Sequence, residues 1–276
     1  MIDYLIKNGT IIDGGGTQPI EADIGIFRDR ICFIGKDEVS AKNVLDAKGL
    51  IISPGFIDVH SHSEFTLLAD NRAEGKISQG VTTEINGNCG LSAAPLYNEA
   101  LEQREIDLDE LNIKERWSTL GGYLGTLEKK GIALNFATLC GHGNIRASVM
   151  GYKDKKPDND EIIEMKKLLK EAIQDGAKGI STGLIYPPGV YAGTEELIEL
   201  CSELRTMPPN VSIGGPNSEL IDTSHMRSEG DKLIESLEEV IRIAKETGIK
   251  VHISQIKTSV MPYCRHGCMK VEGMRK

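Results

Sequence analysis

Apolar and polar positions repeat with two different periods along the chain, and the change of period divides it into two parts. Up to about residue 54, short apolar runs separated by turn residues predict β-strands, with a tight turn at Asn8-Gly9. From residue 55 onward, strand-like runs alternate with segments of helical period. We therefore predict a small N-terminal β domain at 1–54, the N-terminal part of a β-sandwich, followed by an α/β domain at 55–259.

The second part contains clear helix and strand signals in alternation. Helices are predicted at about 115–130, 158–176, 194–204 and 233–248, with Thr194 capping the third. Strands are predicted near residues 56, 82, 136, 180, 222 and 252. Six mainly parallel strands with intervening helices are typical of an incomplete TIM-type (β/α) barrel, because a closed barrel has eight.

Metal-binding side chains follow several of these predicted strands. His60 and His62 end an apolar strand predicted at 56–59, and alternate strand positions face the same side. Cys89 follows the second strand and His225 the fifth. The ends of parallel barrel strands converge on one face, and imidazole with thiolate suits Zn²⁺. The pattern predicts a metal site at these four residues; the alternative is a pair of surface histidines on a loop.

Composition and charge limit the classes of partner. The chain has 276 residues and a net charge of −9, with both signs spread along it, which argues against a nucleic-acid partner. No apolar run reaches the roughly 20 residues needed to cross a membrane, and the start lacks a signal-peptide pattern. The six scattered cysteines are expected to be reduced thiols. We predict a cytoplasmic protein without a membrane partner.

Five stretches carry a resemblance to a known family. They lie at 46–62, 80–90, 141–146, 181–192 and 223–231. They resemble the amidohydrolase superfamily and, within it, the N-acyl-D-amino-acid deacylases (D-aminoacylases). The Asp58-x-His60-x-His62 pattern marks only the superfamily, whereas the stretches around Cys89 and His225 are specific to the deacylases. The resemblance extends to about Ser259.

The resemblance implies a hydrolase, dependent on one or two Zn²⁺ ions, that cleaves the amide bond of small-molecule N-acyl-D-amino acids. It places metal-ligand roles on His60, His62, Cys89 and His225. Tyr186 and Tyr191 are candidates for lining the substrate pocket, with packing under a loop as the alternative. Lys257 and Arg227 are candidates for facing a substrate carboxylate, with pairing to Glu229 or Asp231 as the alternative. His142 is expected to order the loop after the third strand.

Two departures from the family pattern qualify these expectations. Gln255 stands where the family has a histidine ligand on strand six, and His252 lies three residues earlier. The family's catalytic aspartate on strand eight is expected beyond the C-terminus of this sequence. The irregular segment 205–219 and the tail 260–276, which we expect to be disordered, both depart from the pattern as frameshift products would. We interpret the chain as C-terminally truncated.

An incomplete barrel exposes strand edges, which predicts oligomerisation or aggregation. Two alternative functions remain open. One is a non-catalytic fragment that still binds zinc. The other is a hydrolase of cyclic amides, of the hydantoinase or dihydroorotase type.

Overall fold

A computed structural model of the chain describes residues 1–207 and 219–257. The chain divides into two units, Met1–Phe56 and Ile57–Lys276. The predicted tail at 260–276, with Cys264 and Cys268, lies outside the described residues, as does most of the irregular segment 205–219. The four cysteines within the described ranges are free thiols.

The first unit is built around one long strand, β1. The five strands are β1 (Ile2–Ile11), β2 (Ile20–Phe27), β3 (Arg30–Gly35), β4 (Ala41–Asp46) and β5 (Ile51–Ile52). They form one sheet in the order β3-β2-β1-β4, and β5 pairs with the end of β1. Ile11, Ala22 and Ile24 form the small apolar cluster of this unit. The predicted β-rich N-terminal part is confirmed.

The tight turn predicted at Asn8-Gly9 is wrong, because β1 runs through both residues. Asn8 has a left-handed backbone with φ of 65°, and the register between β1 and β2 shifts between Ile6 and Gly9. This is a β-bulge, in which one strand carries an extra residue and bends. Asn-Gly favours left-handed backbone, which serves a bulge as well as a hairpin turn.

The second unit contains the predicted succession of strands. They are β6 (Phe56–Asp58), β7 (Val81–Asn86), β8 (Asn135–Thr138), β9 (Cys140–Gly141), β10 (Gly179–Gly183), β11 (Ile221–His225) and β12 (Lys250–Ile253). Two sheets result, in the orders β6-β7-β8 and β12-β11-β10-β9. Only Leu139 separates β8 from β9, so the sheets meet at one interrupted strand. The pairings of β7 with β8 and among β9 to β12 are parallel, and the incomplete barrel is confirmed.

Eight α-helices accompany these strands in the described part of the chain. They are α1 (Thr66–Ala69), α2 (Glu74–Ile77), α3 (Asn98–Glu110), α4 (Leu120–Lys130), α5 (His142–Met150), α6 (Asn159–Asp175), α7 (Thr194–Thr206) and α8 (Leu233–Thr247). A capping box between Asp158 and Glu161 starts α6, and the left-handed Gly248 ends α8. Within residues 1–207 and 219–257, no helix has the length and apolar character of a membrane span.

Some helix predictions need correction. The helix predicted from residue 115 begins at Leu120, because the Thr119 side chain accepts the N–H of Gly122 and caps it there. Gly193, not Thr194, is the N-cap of α7. Helices α3 and α5 were not predicted: α3 is mostly charged, and nearly every residue of α5 is buried. Neither therefore has a one-sided apolar period.

Candidate metal centre

The strand that leads to the paired histidines is shorter and more exposed than predicted. It ends at Asp58, so His60 and His62 lie in the irregular segment that follows. Ile57 is 61% exposed, because β6 has a single neighbouring strand, β7, among the described residues. The two imidazole rings nevertheless meet edge to face, with centroids 5.2 Å apart. The predicted pairing therefore holds without a regular strand.

The loop that carries Cys89 has an unusual backbone. Gly87, Cys89 and Gly90 all have positive φ, 55° at the cysteine. A left-handed conformation is uncommon for a residue other than glycine, and such backbone strain concentrates at functional sites. The Ser181 hydroxyl fastens the loop, since it donates to Gly87 O and accepts the N–H of Gly90 at 3.0 Å. Gly183 passes so close that a Cβ there would overlap Cys89 O.

The four predicted ligands converge. The Cys89 sulfur lies 3.4 Å from His60 Nε2 and 3.3 Å from His225 Nδ1. One potential ligand atom from each of His60, His62 and Cys89 lies within 4.8 Å of the other two. His225, at the end of β11, is 3% exposed and completes the group. Residues far apart in sequence thus meet at the ends of β6, β7 and β11.

The protonation states of these groups suit a metal. Burial lowers the pKa of His60, His62 and His225, so the imidazoles are neutral at pH 7 and offer a lone pair. Burial raises the pKa of the Cys89 thiol to about 11. A cation that binds there must displace this proton, as zinc does at thiol ligands. Three neutral imidazoles and one thiol form a donor set that fits Zn²⁺.

A cavity of about 270 Å³ opens beside the cluster. Its lining consists of His62, Glu64, Phe65, Cys89, Leu91, Ser92, Arg104 and Tyr186. The Tyr186 ring packs edge-on against the His225 ring, with centroids 5.1 Å apart. Burial raises the pKa of Glu64 to about 7, and its carboxylate accepts the N–H of Gly87 at 2.7 Å. Sequence reasoning missed Glu64 and Arg104, although Glu64 continues the alternation of His60 and His62.

The other residues predicted to contact the substrate lie outside the lining of this cavity. Lys257 Nζ lies 3.3 Å from Glu229 Oε1, as the pairing alternative expected. The guanidinium of Arg227 bonds Glu239 at 2.9–3.0 Å and the Val190 and Ala192 carbonyls. It therefore holds the loop before α7. Tyr191 lies half-buried in the short 3₁₀ turn of that loop, Gly189–Tyr191.

A carboxylate also stands behind His225. Glu229 Oε1 lies 3.1 Å from His225 Nε2, on the side of the ring opposite to Cys89. A carboxylate in this position fixes which ring nitrogen carries the proton and leaves the other free to bind. On strand β12 and beyond, His252 is exposed, whereas Gln255 has a buried amide oxygen with no hydrogen-bond partner among the described residues.

A second cluster of polar side chains, which contains one histidine, lies between α5 and α7. His142 Nε2 lies 2.9 Å from Glu196 Oε1, and Arg146 donates to the other oxygen of Glu196 at 2.5 Å. Arg146 also donates to Lys155 O at 2.6 Å, and all three side chains of the cluster are buried. The sequence predicts that His142 orders the loop after the third strand, but His142 is the first residue of helix α5.

Comparisons with known proteins show which family this chain resembles in sequence and fold. A model of the amidohydrolase family matches residues 43–208. The chain is 40% identical over 261 residues to a D-aminoacylase of Alcaligenes xylosoxydans xylosoxydans, covering 94% of this chain and 51% of that protein. A solved D-aminoacylase with a binuclear metal centre has a TM-score of 0.85 and 36% identity, covering 99% and 56% of the two chains.

An N-acyl-D-glutamate deacylase from Bordetella bronchiseptica, solved with zinc and a phosphonate inhibitor, also has a TM-score of 0.85. It is 32% identical, and the match covers 99% of this chain and 56% of that one. The chain spans about half the length of the curated relatives it matches.

Proposed function

The chain belongs to the amidohydrolase family, and on this premise we propose that it acts in the zinc-dependent hydrolysis of N-acyl-D-amino acids. The observation that carries the proposal is the convergence of four ligand side chains beside a cavity. Relatives at 40% and 37% identity are a D-aminoacylase and an N-acyl-D-aspartate deacylase, which supports a linear amide as the substrate.

Zinc would be held by His60, His62, Cys89 and His225, as one ion or two. The buried amide oxygen of Gln255 is a further donor that requires a partner. Bound zinc supplies Lewis-acid activation of the amide carbonyl and of water, which amide hydrolysis requires.

The chain's own side chains shape the substrate site. Tyr186 borders the cavity and shields one face of the His225 ring from water. The Lys257 side chain is 59% exposed beside Glu229, and its ammonium group offers a positive charge to a substrate carboxylate. We retain Tyr191 as a lining residue on the same loop as Tyr186. Glu229 keeps the proton of His225 on Nε2 and so leaves Nδ1 free for the ion.

The test uses the full chain. Purified protein is assayed for zinc content and for release of D-amino acids from N-acetyl-D-amino acids, with the L-enantiomers and a hydantoin as comparison substrates. We expect D-selective release that a chelator abolishes and added zinc restores. Turnover of the hydantoin alone would instead indicate a cyclic-amide hydrolase. Protein that neither binds zinc nor turns over a substrate would overturn the proposal.

A zinc-binding protein without turnover is the second candidate function. The observation that favours it is the span of the match, about half the length of the relatives. Stoichiometric zinc with no release from any of these substrates selects it.

Oligomerisation through exposed strand edges, the absence of nucleic-acid and membrane partners, and a cytoplasmic location all stay predictions. Size-exclusion chromatography with light scattering tests the first. A monodisperse monomer that melts cooperatively would contradict it.

A further inference from the structure

An ion network built around one buried carboxylate lies behind the paired histidines. Lys76 Nζ, on the short helix α2, lies 2.5 Å from Asp58 Oδ2 and 3.1 Å from Glu84 Oε1. The Glu84 side chain is fully buried within strand β7, and Lys76 is one-third exposed. A buried carboxylate is costly unless a positive group and hydrogen bonds compensate for its lost water. Lys76 supplies that charge between two carboxylates from different strands.

The network is joined to the histidine segment through its serines. Lys76 donates to Ser61 Oγ at 2.9 Å, and Ser61 Oγ donates to Asp58 Oδ2 at 2.9 Å. Ser63 Oγ donates to Glu84 and lies 3.0 Å from Asn86 Oδ1. Both serines therefore face the ion network.

The backbone of the same segment is tied to strand β7. Ser61 N–H donates to Ile85 O at 3.0 Å, and Ser63 N–H donates to Asn86 Oδ1 at 2.7 Å. His60 Nε2, by contrast, is directed to the Cys89 sulfur at 3.4 Å. Serines therefore lie on one side of this segment and histidines on the other, as they would in a β-strand, although residues 60–63 lie after the end of β6. The polar contacts replace the missing ladder of hydrogen bonds.

We propose that Lys76, held between Asp58 and Glu84, is a positioning residue that fixes the segment 60–63 so that His60 and His62 face Cys89. It is not among the residues that line the cavity beside the cluster, and it acts through Ser61 and the two carboxylates. Without its charge, Asp58 and Glu84 lose their shared cation, and Ser61 loses the donor that orients its hydroxyl. The inference rests on the proposed function, since zinc binding is what the positioning serves.

The test measures zinc affinity by competition with a chromogenic chelator, together with the visible spectrum of the Co²⁺-loaded protein. Lys76→Met is expected to weaken zinc binding by about 10- to 100-fold, the range typical of residues behind metal ligands. Its cobalt spectrum is expected to change, because the histidine ligands shift. Lys76→Arg keeps the charge and is expected to restore most of the affinity.

Lys166→Met is the matched control. Lys166 also pairs with a glutamate, Glu199, and is similarly exposed, but it lies on α6. It is expected to leave zinc affinity and the cobalt spectrum unchanged.

A second variant covers the case in which Lys76→Met fails to fold. Ser61→Ala leaves both ion pairs in place and removes one of the two serine hydroxyls that join them to the segment. It is expected to weaken zinc binding by about 3- to 10-fold at an unchanged thermal midpoint. Wild-type zinc affinity in both Lys76→Met and Ser61→Ala would overturn the inference and leave the proposed function standing. A parent protein that binds no zinc would overturn both.

Discussion

Two clusters in the second unit contain histidine, and they differ both in residue type and in what surrounds them. At the strand ends, His60, His62 and His225 surround a thiol beside a cavity. Between α5 and α7, His142 and Arg146 share the carboxylate of Glu196 and are sealed from solvent. Burial alone would raise the pKa of Glu196, but the contacts with His142 and Arg146 lower it below its usual value.

The difference shows what makes a histidine cluster available to a ligand. In the second cluster each carboxylate oxygen already faces a nitrogen, so the charge is satisfied within the protein. In the first cluster His60, His62 and Cys89 face one another as neutral groups, and each imidazole has a lone pair to offer. The first arrangement can therefore offer its lone pairs to a cation, whereas in the second the carboxylate already has its cationic partner.

The largest expected effect comes from breaking the sealed cluster. Arg146→Met leaves Glu196 buried without its main cation and is expected to lower the free energy of unfolding by about 3–5 kcal/mol. Urea denaturation measures this change. Zinc affinity is expected to stay within about threefold of the parent, because the ligands are untouched.

Arg242→Met is the control for this prediction. Arg242 pairs with Glu195 and Glu246 at the surface, where such pairs contribute about 0–1 kcal/mol. Equal destabilisation by Arg146→Met and Arg242→Met would show that the sealed cluster does not depend on its cation.

The next largest effect is expected from removing the sulfur atom of the cluster at the strand ends. Cys89→Ala is expected to weaken zinc binding at least about 100-fold, or about 2.8 kcal/mol, because a ligand is lost outright. Calorimetric titration with zinc measures it. Cys32→Ala, at an exposed thiol in the first unit, is expected to bind zinc as the parent does. Similar affinities for both variants would remove Cys89 from the ligand set.

Asp222 is a third case to set beside the two clusters, because it is a buried acid without a hydrogen-bond partner in the described part of the chain. It is fully buried in β11, and neither carboxylate oxygen has a hydrogen-bond partner within residues 1–207 and 219–257. Burial raises its pKa to about 7. Between about pH 4 and pH 7 the folded protein therefore holds a proton that the unfolded chain has released. Stability is expected to fall as the pH rises through this window.

Asp222→Asn removes this dependence. The difference in unfolding free energy between variant and parent is expected to be about 2 kcal/mol larger at pH 8 than at pH 5, in favour of the variant. Relaxation and water penetration keep this figure below the full cost of burying the charge. Thermal melts at both pH values measure the difference. A parent whose stability does not fall between these pH values would contradict the assignment.

The smallest effect concerns the carboxylate behind His225. Glu229→Gln keeps the size of the side chain and removes its charge, so it is expected to weaken zinc binding about 10-fold. The same chelator competition measures it. Glu219→Gln, at an exposed acid paired with Lys250, serves as the control. An unchanged affinity would show that His225 keeps its orientation without Glu229.

The sequence predicted the six strands and all four converging side chains, because apolar periods and polar strand ends are local signals. It did not predict the network of Lys76 and Glu84, although a glutamate inside a predicted strand is a visible anomaly. Its partner lies on α2, a four-residue helix too short for a periodic signal. Helix α5 was missed for the opposite reason, since burial on nearly every side leaves no polar face.

The left-handed backbone of Cys89 restricts which side chains can replace it. Valine or isoleucine would add steric strain there, whereas asparagine and aspartate tolerate that conformation comparatively well. Aspartate would exchange a soft sulfur donor for a hard oxygen donor, which manganese and magnesium prefer. Position 89 is therefore a place where one substitution could change the metal selectivity. The left-handed backbone of the loop limits that substitution to a few side chains.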